Sequence, residues 1–137
     1  MMDDCVFCKI IKGDIPCSKV YEDEDTLAFL DIAPNNPGHT LVITKEHHET
    51  MLDTPDELLC KLIAAVKNVA LGVKKATGCL GFNIAQNNYK MAGQLVPHIH
   101  FHIIPRVEGD GFKFWPHKEY AEGEMEEWRN KIAEALK

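Results

Sequence analysis

The chain has no long hydrophobic run and no excess of basic residues. Lysine and arginine together number 15 against 21 aspartates and glutamates, which gives a formal net charge of −6 over 137 residues. A protein that neutralises many nucleic-acid phosphates needs the opposite balance, and a membrane-spanning helix needs about 18 consecutive apolar residues. We therefore expect neither nucleic acid nor a membrane as a partner, whereas this balance is compatible with a single nucleotide as ligand.

The chain also lacks the cysteine pattern of a secreted protein. Its five cysteines, at positions 5, 8, 17, 60 and 79, are odd in number and unevenly spaced, unlike a disulfide framework. The acidic start, Met1 to Asp4, has neither the basic nor the apolar segment of a signal peptide. These features predict reduced thiols and a cytoplasmic protein.

Internal repeats, low-complexity tracts and linkers are absent too, so residues 1–137 are predicted to form a single domain. Its alternating and helical hydrophobic patterns indicate an α+β fold. Strands are expected at residues 19–22, 26–32, 39–44, 81–85 and 99–104.

Two helices are predicted between and after these strands. The first runs from Pro55 to about Thr77, with Thr54 as N-cap, Glu57 completing a capping box and Gly78 ending the helix. The second lies within residues 119–136, where four apolar residues recur at helical spacing: Met125, Trp128, Ile132 and Leu136.

Three histidines carry the chemistry of the sequence. His98, His100 and His102 alternate with apolar residues, and in a strand this period of two places all three imidazoles on one face. Such a row is suited either to holding a metal or to a histidine nucleophile with supporting neighbours. The polar, glycine-containing turn at residues 87–94 would bring amide groups beside the strand, as phosphate binding requires.

Residues 93–106, Gly-Gln-Leu-Val-Pro-His-Ile-His-Phe-His-Ile-Ile-Pro-Arg, closely resemble the signature of the histidine-triad (HIT) nucleotide hydrolases and transferases. Residues 7–11, 27–32 and 37–43 resemble further family elements and follow in family order. The resemblance covers residues 5–106 and leaves 107–137 as a C-terminal extension. It implies a HIT-like fold, in which a long helix covers a five-stranded antiparallel sheet, and it implies a homodimer. The second predicted helix would extend this fold at the C-terminus.

The resemblance also assigns catalytic roles. His100 would be the nucleophile that attacks the α-phosphorus of a nucleotide and forms a nucleotidyl-histidine intermediate. His102 would contact the phosphate or the leaving group, His98 would orient the site, and His39 would join the proton network of the triad.

Nucleotide contacts follow from the same resemblance. Gln94 would stabilise charge on the phosphoryl oxygens, Asn87 would lie near the nucleotide, and Asp31 would accept both ribose hydroxyls. On the sequence alone, Asp31 is better explained as an ordinary turn residue at the end of a strand before Pro34. The base slot would be apolar, although such residues are more often simply core: Val6, Phe7, Ile10, Phe29, Leu30 and Ile32.

One residue departs from the family pattern. Many members carry a serine or threonine hydroxyl where this chain has Leu95. Because leucine offers no hydrogen bond, the leaving-group specificity is left open, above all for cleavage of a P–N bond.

Cys5 and Cys8 form a C-x-x-C motif, which taken alone is a weak signal. The resemblance implies that the two thiolates join His47 and His98 in a closed Cys2His2 set that holds a structural zinc. His48 could replace His47. Inert reduced thiols and a redox pair are the alternatives.

The main hypothesis is a nucleotide hydrolase that cleaves purine nucleoside phosphoramidates or other AMP-X compounds, with no organic cofactor. The first alternative is a diadenosine polyphosphate hydrolase with the same nucleophile. A second alternative is a zinc hydrolase whose triad histidines hold a catalytic metal. The third is a nucleotide-binding regulatory module with little turnover.

Overall fold

The structure, a computed structural model, describes residues 4–137. The start of the chain, Met1 to Asp3, on which the prediction of a cytoplasmic protein partly rests, lies outside the described residues. The elements follow in this order: α1 (Val6–Lys12), β1 (Lys19–Glu22), β2 (Thr26–Leu30), β3 (Thr40–Thr44), α2 (Asp56–Thr77), β4 (Gly81–Gln86), the 3₁₀ turn Lys90–Ala92, β5 (His100–Arg106) and α3 (Glu124–Ala135).

The five strands form one antiparallel sheet in the order β1-β2-β3-β5-β4. This result confirms the predicted α+β class and five-stranded sheet. All five predicted strands are present, with ends that differ by at most two residues.

The two faces of the sheet are covered by different helices. The long helix α2 packs on one face, where it meets Ala28, Val42, Phe101 and Ile103. The short helix α1 packs on the other face against Leu27, Phe29, Leu41 and Ile43. Side chains alternate along a strand, so His100 and His102 share the face of α1. The alternation of histidines and apolar residues in β5 therefore places the side chains of His100 and His102 on the side of α1.

The predicted cap of the first long helix is wrong. Thr54 does not cap α2, because its Oγ1 donates a hydrogen bond to the carbonyl oxygen of Thr50 at 2.7 Å. Pro55 is the N-cap instead and makes no side-chain cap bond, so Glu57 completes no capping box. The predicted end is confirmed, since Gly78 adopts a left-handed conformation with φ 69° and donates to Lys74.

Of the three triad histidines, His100 and His102 lie within β5 and His98 lies just before it, in agreement with the predicted strand bounds of 99–104. His98 lies in a bend before β5, where its N–H donates to the carbonyl oxygen of Val96 at 2.8 Å. The next residue, Ile99, donates to His48 at 2.7 Å. His98 is therefore outside the sheet ladder, but its ring lies on the same side of the sheet as that of His100, since Phe7 of α1 packs against both rings.

The C-terminal helix α3 lies within the predicted residues 119–136 and presents its apolar stripe to solvent. Met125, Trp128, Ile132 and Leu136 are all exposed.

No helix among residues 4–137 combines the length and apolar character that crossing a membrane requires.

Candidate active site and metal centre

A cavity of about 380 Å³ lies between α1 and the sheet face that carries His100 and His102. Its volume falls within the range of small-molecule sites. Ten predicted site residues line it: Val6, Phe7, Ile10, Phe29, Leu30, Asp31, Ile32, Asn87, His100 and His102. The structure thus brings together the predicted apolar slot, the carboxylate, the amide and two of the triad histidines.

His100 is held in one tautomer by the backbone. Its Nδ1 donates to the carbonyl oxygen of His98 at 2.7 Å, so Nδ1 carries the proton and Nε2 keeps its lone pair. The side chain is buried, and this burial lowers the pKa of His100 and favours the neutral ring. A neutral imidazole with a free Nε2 has the form that nucleophilic attack requires.

His102 and His39 form a hydrogen-bonded pair behind the cavity. The N–H of Asn35 donates to Nδ1 of His39 at 3.0 Å, so His39 carries its proton on Nε2. That Nε2 lies 2.9 Å from Nδ1 of His102 and donates to it. His102 is therefore protonated on Nε2, and this N–H is available to a ligand in the cavity.

Burial keeps both rings of this pair neutral. It is the main cause that lowers the pKa of His102 to about 4, with His100 and His39 adding to the effect. Burial also lowers the pKa of His39, although Asp31 opposes the shift. At neutral pH the pair therefore supplies hydrogen-bond donors and no positive charge.

The donor directions argue against a metal at Asp31, His39 and His102, although these side chains lie close enough for one. A cation bound to Nε2 of His39 would displace the proton from that nitrogen, so the neutral ring would carry its proton on Nδ1. The Nδ1–H would then point at the N–H of Asn35, and two donors would face each other. The separation of 2.9 Å between the two rings is also a hydrogen-bond distance. Two nitrogens on a tetrahedral zinc would lie about 3.3 Å apart.

The carboxylate of Asp31 belongs to a residue of the cavity wall. Its Oδ1 accepts the N–H of Ala33 at 2.9 Å, which is a turn contact. Its Oδ2 lies 3.6 Å from Nε2 of His39. The carboxylate therefore serves as a turn residue and retains acceptor capacity in the cavity.

Gln94 lies outside the cavity walls, in contrast to the phosphate contact expected of it. Its buried side chain accepts the N–H of Tyr89 at 2.7 Å and donates to the carbonyl oxygen of Glu49 at 2.6 Å. Its own N–H donates to Tyr89 at 3.2 Å. Both polar atoms of the side-chain amide are thus used to hold the loop at residues 87–94.

Tyr89 in this loop has a backbone conformation that the sequence did not indicate. Its φ of 71° and ψ of 157° lie in a region that essentially only glycine adopts. The bond from Gln94 to its N–H holds it there.

Cys5, Cys8, His47 and His98 converge on one point beneath α1. His98 donates from Nε2 to the carbonyl oxygen of Thr44 at 2.7 Å, which leaves a lone pair on Nδ1. Burial is the main cause that lowers the pKa of His98 to about 4, so the ring is neutral. Burial also raises the pKa of the Cys5 thiol, which a bound cation would counteract.

The spacing of these four donors fits a tetrahedral zinc. Sulfur to nitrogen distances are 3.4 Å for Cys5 to His98, 3.3 Å for Cys8 to His47 and 3.7 Å for Cys8 to His98. The two Nδ1 atoms lie 3.2 Å apart. In a tetrahedral site, zinc bond lengths place a sulfur and a nitrogen ligand about 3.6 Å apart and two nitrogen ligands about 3.3 Å apart. His48 is not part of the set, because its Nε2 pairs with Glu46 at 2.7 Å.

Several cavity residues were missed by the sequence interpretation: Ile15, Pro16, Cys17, Leu41, Gly93, Leu95 as a wall residue, and Val96. Leu41 could have been found from strand pairing, since it lies opposite His102. Residues 15–17 reach the cavity because the chain reverses after α1, where Gly13 has φ 86°.

A second groove, of about 360 Å³, lies between α2 and the first two strands. Among its walls in the described part of the chain, Tyr21 is the only titratable residue, so this groove offers no comparable chemistry.

Comparison with known proteins agrees with this geometry. The chain matches the family model described as HIT domain over residues 12–109. An uncharacterised HIT-like protein of Methanocaldococcus jannaschii is 57% identical over 107 residues, which cover 78% of this chain and 82% of that protein. An adenosine 5'-monophosphoramidase of Schizosaccharomyces pombe is 47% identical over 119 residues, covering 87% and 80%.

Solved structures match the fold along its length. A crystal structure from Streptococcus mutans superposes with a TM-score of 0.94 at 43% identity and covers 100% of this chain and 88% of that one. A zinc-bound histidine triad family protein from Mycobacterium smegmatis superposes with a TM-score of 0.76 at 38% identity and covers 96% and 97%.

Proposed function

Because this chain belongs to the HIT domain family, we propose that it is a nucleotide hydrolase that releases AMP from purine nucleoside phosphoramidates or other AMP-X compounds. The observation that carries the proposal is the free Nε2 of His100 in a cavity that also holds a carboxylate and an apolar slot. The phosphoramidase activity named for the fission yeast relative supports the same substrate class.

The reaction begins at His100. Its Nε2 attacks the α-phosphorus, the N–P bond forms as the P–X bond breaks, and water then hydrolyses the nucleotidyl-histidine to AMP. The proton on Nδ1 of His100 remains hydrogen-bonded to the carbonyl oxygen of His98. This hydrogen bond stabilises the imidazole as it gains positive charge. The Nε2–H of His102 donates to a phosphoryl oxygen or to the leaving group.

The rest of the cavity binds the nucleoside. The Oδ2 atom of Asp31 accepts ribose hydroxyls, and the base lies among the apolar residues contributed by α1 and β2. Asn87 contacts the nucleotide near the phosphate. Gln94 supports the site indirectly, because it fixes the loop that carries Asn87 and Gly93.

Cys5, Cys8, His47 and His98 hold a zinc ion in this proposal. These four side chains would fill all four positions of a tetrahedral ion, so a bound zinc would have no open position for water and would serve a structural role. The zinc-bound structure of the mycobacterial relative supports this assignment.

A second copy of the chain is the partner we propose. Among residues 4–137, the strand β4 pairs with β5 alone and is an edge of the sheet. It exposes Phe82 and Ile84 beside Ile63 and Leu71 of α2. An exposed edge with apolar neighbours favours pairing with another strand. Residues 107–137 extend beyond the HIT core, and their exposed apolar residues include Phe114, Trp115 and Trp128.

The substrate class is tested by comparing kcat/KM for an adenosine phosphoramidate with kcat/KM for a diadenosine polyphosphate, using the zinc-loaded protein. We expect the phosphoramidate to be preferred. A preference for the dinucleotide would keep His100 as nucleophile and change the substrate, while AMP binding without turnover of either compound would indicate a regulatory module.

A further inference from the structure

We propose that helix α1 couples the metal centre to the nucleotide cavity, so that zinc and AMP each strengthen the binding of the other. The inference rests on the proposed function and adds a means of control to it. It follows from the fact that one short helix supplies both sites.

Helix α1 has seven residues, too few to be stable in isolation. Its N-cap is Cys5, whose sulfur accepts the N–H of Cys8 at 3.5 Å. Both sulfurs face the metal centre. The neighbouring residues of the same helix, Val6, Phe7 and Ile10, line the cavity. The position of this cavity wall therefore depends on what holds the two cysteines.

Phe7 makes the most direct link between the sites. Its buried ring packs edge-on against His100 with ring centres 5.1 Å apart, and against His98 at 5.8 Å. It also contacts Phe29, on the opposite wall, at 5.5 Å. A shift of α1 consequently changes both the width of the apolar slot and the packing on the nucleophile.

His98 provides a second link through its backbone. Its Nδ1 faces both cysteines, while its carbonyl oxygen holds Nδ1 of His100. The same residue thus belongs to the metal centre by its ring and to the active site by its main chain.

Without a cation, the thiols of Cys5 and Cys8 contact the imidazole nitrogens only through weak hydrogen bonds. The cysteines then no longer fix α1, so part of the binding free energy of AMP is used to order this helix. Since coupling between two ligands is reciprocal, AMP must raise the affinity for zinc by the same factor as zinc raises the affinity for AMP. We expect a factor of about 10, within the usual range for coupled sites.

The test measures the Kd of AMP by calorimetry on the full chain, zinc-loaded and after removal of zinc by a chelator. It also measures the Kd of zinc with and without saturating AMP. Cys8→Ser should bind AMP about tenfold more weakly and show no response to zinc. The matched control is Cys60→Ser, since Cys60 is exposed on α2 and belongs to neither site; it should behave as the wild type.

Amide hydrogen exchange accompanies the titration and separates the outcomes. Loss of protection confined to α1 in the metal-free protein, with weakened AMP binding, supports the proposal. Equal AMP affinity with and without zinc overturns the coupling and leaves the proposed function intact. Loss of protection across the whole sheet also overturns it, because coupling would then run through global unfolding. Failure of both forms to bind AMP would overturn the proposed function itself.

Discussion

The backbone carbonyl oxygen of His98 accepts a hydrogen bond from Nδ1 of His100 at 2.7 Å, while the ring of His98 turns away from the cavity toward Cys5 and Cys8. Neighbouring triad histidines therefore keep different ring nitrogens unprotonated. Nε2 of His100 keeps its lone pair, whereas His98 fixes that tautomer through its carbonyl oxygen and keeps its own Nδ1 unprotonated on the side of the cysteines.

Replacing Tyr89 by glycine should stabilise the protein. The backbone of Tyr89 lies in a region that costs a non-glycine residue about 1–3 kcal/mol. We expect Tyr89→Gly to raise the free energy of unfolding by about 1–2 kcal/mol, measured by urea denaturation. Tyr89→Ala keeps the steric conflict of a Cβ and should bring no comparable gain. A stabilisation of equal size in both variants would mean that the tyrosine ring, and not the backbone, is the source.

Loss of the Gln94 side chain should destabilise the loop around the cavity. Gln94→Ala leaves the N–H of Tyr89 and the carbonyl of Glu49 without their partner. Each such buried group costs about 1–3 kcal/mol, so the thermal midpoint should fall clearly, and kcat/KM should fall as Asn87 and Gly93 shift.

Gln94→Glu serves as the matched comparison. It keeps the acceptor for Tyr89 but cannot donate to Glu49 when ionised. If Gln94→Ala lowered kcat/KM with no loss of stability, a direct contact of Gln94 with substrate would be favoured over its loop-fixing role.

Leu95 should restrict the leaving group and contribute little to the fold. It lines the cavity and is 87% exposed. Leu95→Ser adds a hydroxyl there, and we expect kcat/KM for an adenosine phosphoramidate to rise by about tenfold with an unchanged Kd for AMP. Leu52→Ser, at another exposed leucine outside the cavity walls, is the control. An unchanged kcat/KM in Leu95→Ser would show that the leaving group does not reach this residue.

The stability of the zinc-loaded protein should fall on acidification from pH 6.5 toward pH 4. Burial lowers the pKa of His102 to about 4 and also lowers the pKa of His39, whereas both titrate near 6.5 in the unfolded chain. The unfolded state therefore binds more protons in this interval, and the neutral rings contribute their full stability above pH 6.5 only.

Urea midpoints across pH 4 to 8 measure this effect. His102→Asn removes one of the two rings and should flatten the dependence. A wild-type profile that stays level from pH 7 to pH 4.5 would contradict a neutral His39–His102 pair.

Much of this architecture is predictable from local pattern. The alternation around His100 predicts its strand, since period is a property of the chain itself, whereas the cavity walls that include Phe7, Phe29 and Asp31 are predicted only by the resemblance to the HIT family. The helix stop at Gly78 is predictable from the chain itself, because glycine alone adopts that conformation without cost.

The failures share a physical cause, which is competition among nearby partners. Thr54 is a good N-cap by type, yet the carbonyl of Thr50 takes its hydroxyl. Gln94 is a good phosphate donor by type, yet Tyr89 and Glu49 take both ends of its amide. Such choices depend on backbone groups brought close by folding, and no residue pattern encodes them directly.

Nucleophilic catalysis by His100 is tested most directly by AMP release from a fluorogenic adenosine phosphoramidate, measured for the wild type and for His100→Ala, both folded and zinc-loaded. The wild type should release AMP rapidly, and a covalent AMP adduct should be detectable by mass spectrometry after rapid quenching. His100→Ala should release AMP at least about 1,000-fold more slowly, form no adduct and still bind AMP. Release by His100→Ala at a rate near that of the wild type would contradict nucleophilic catalysis by His100.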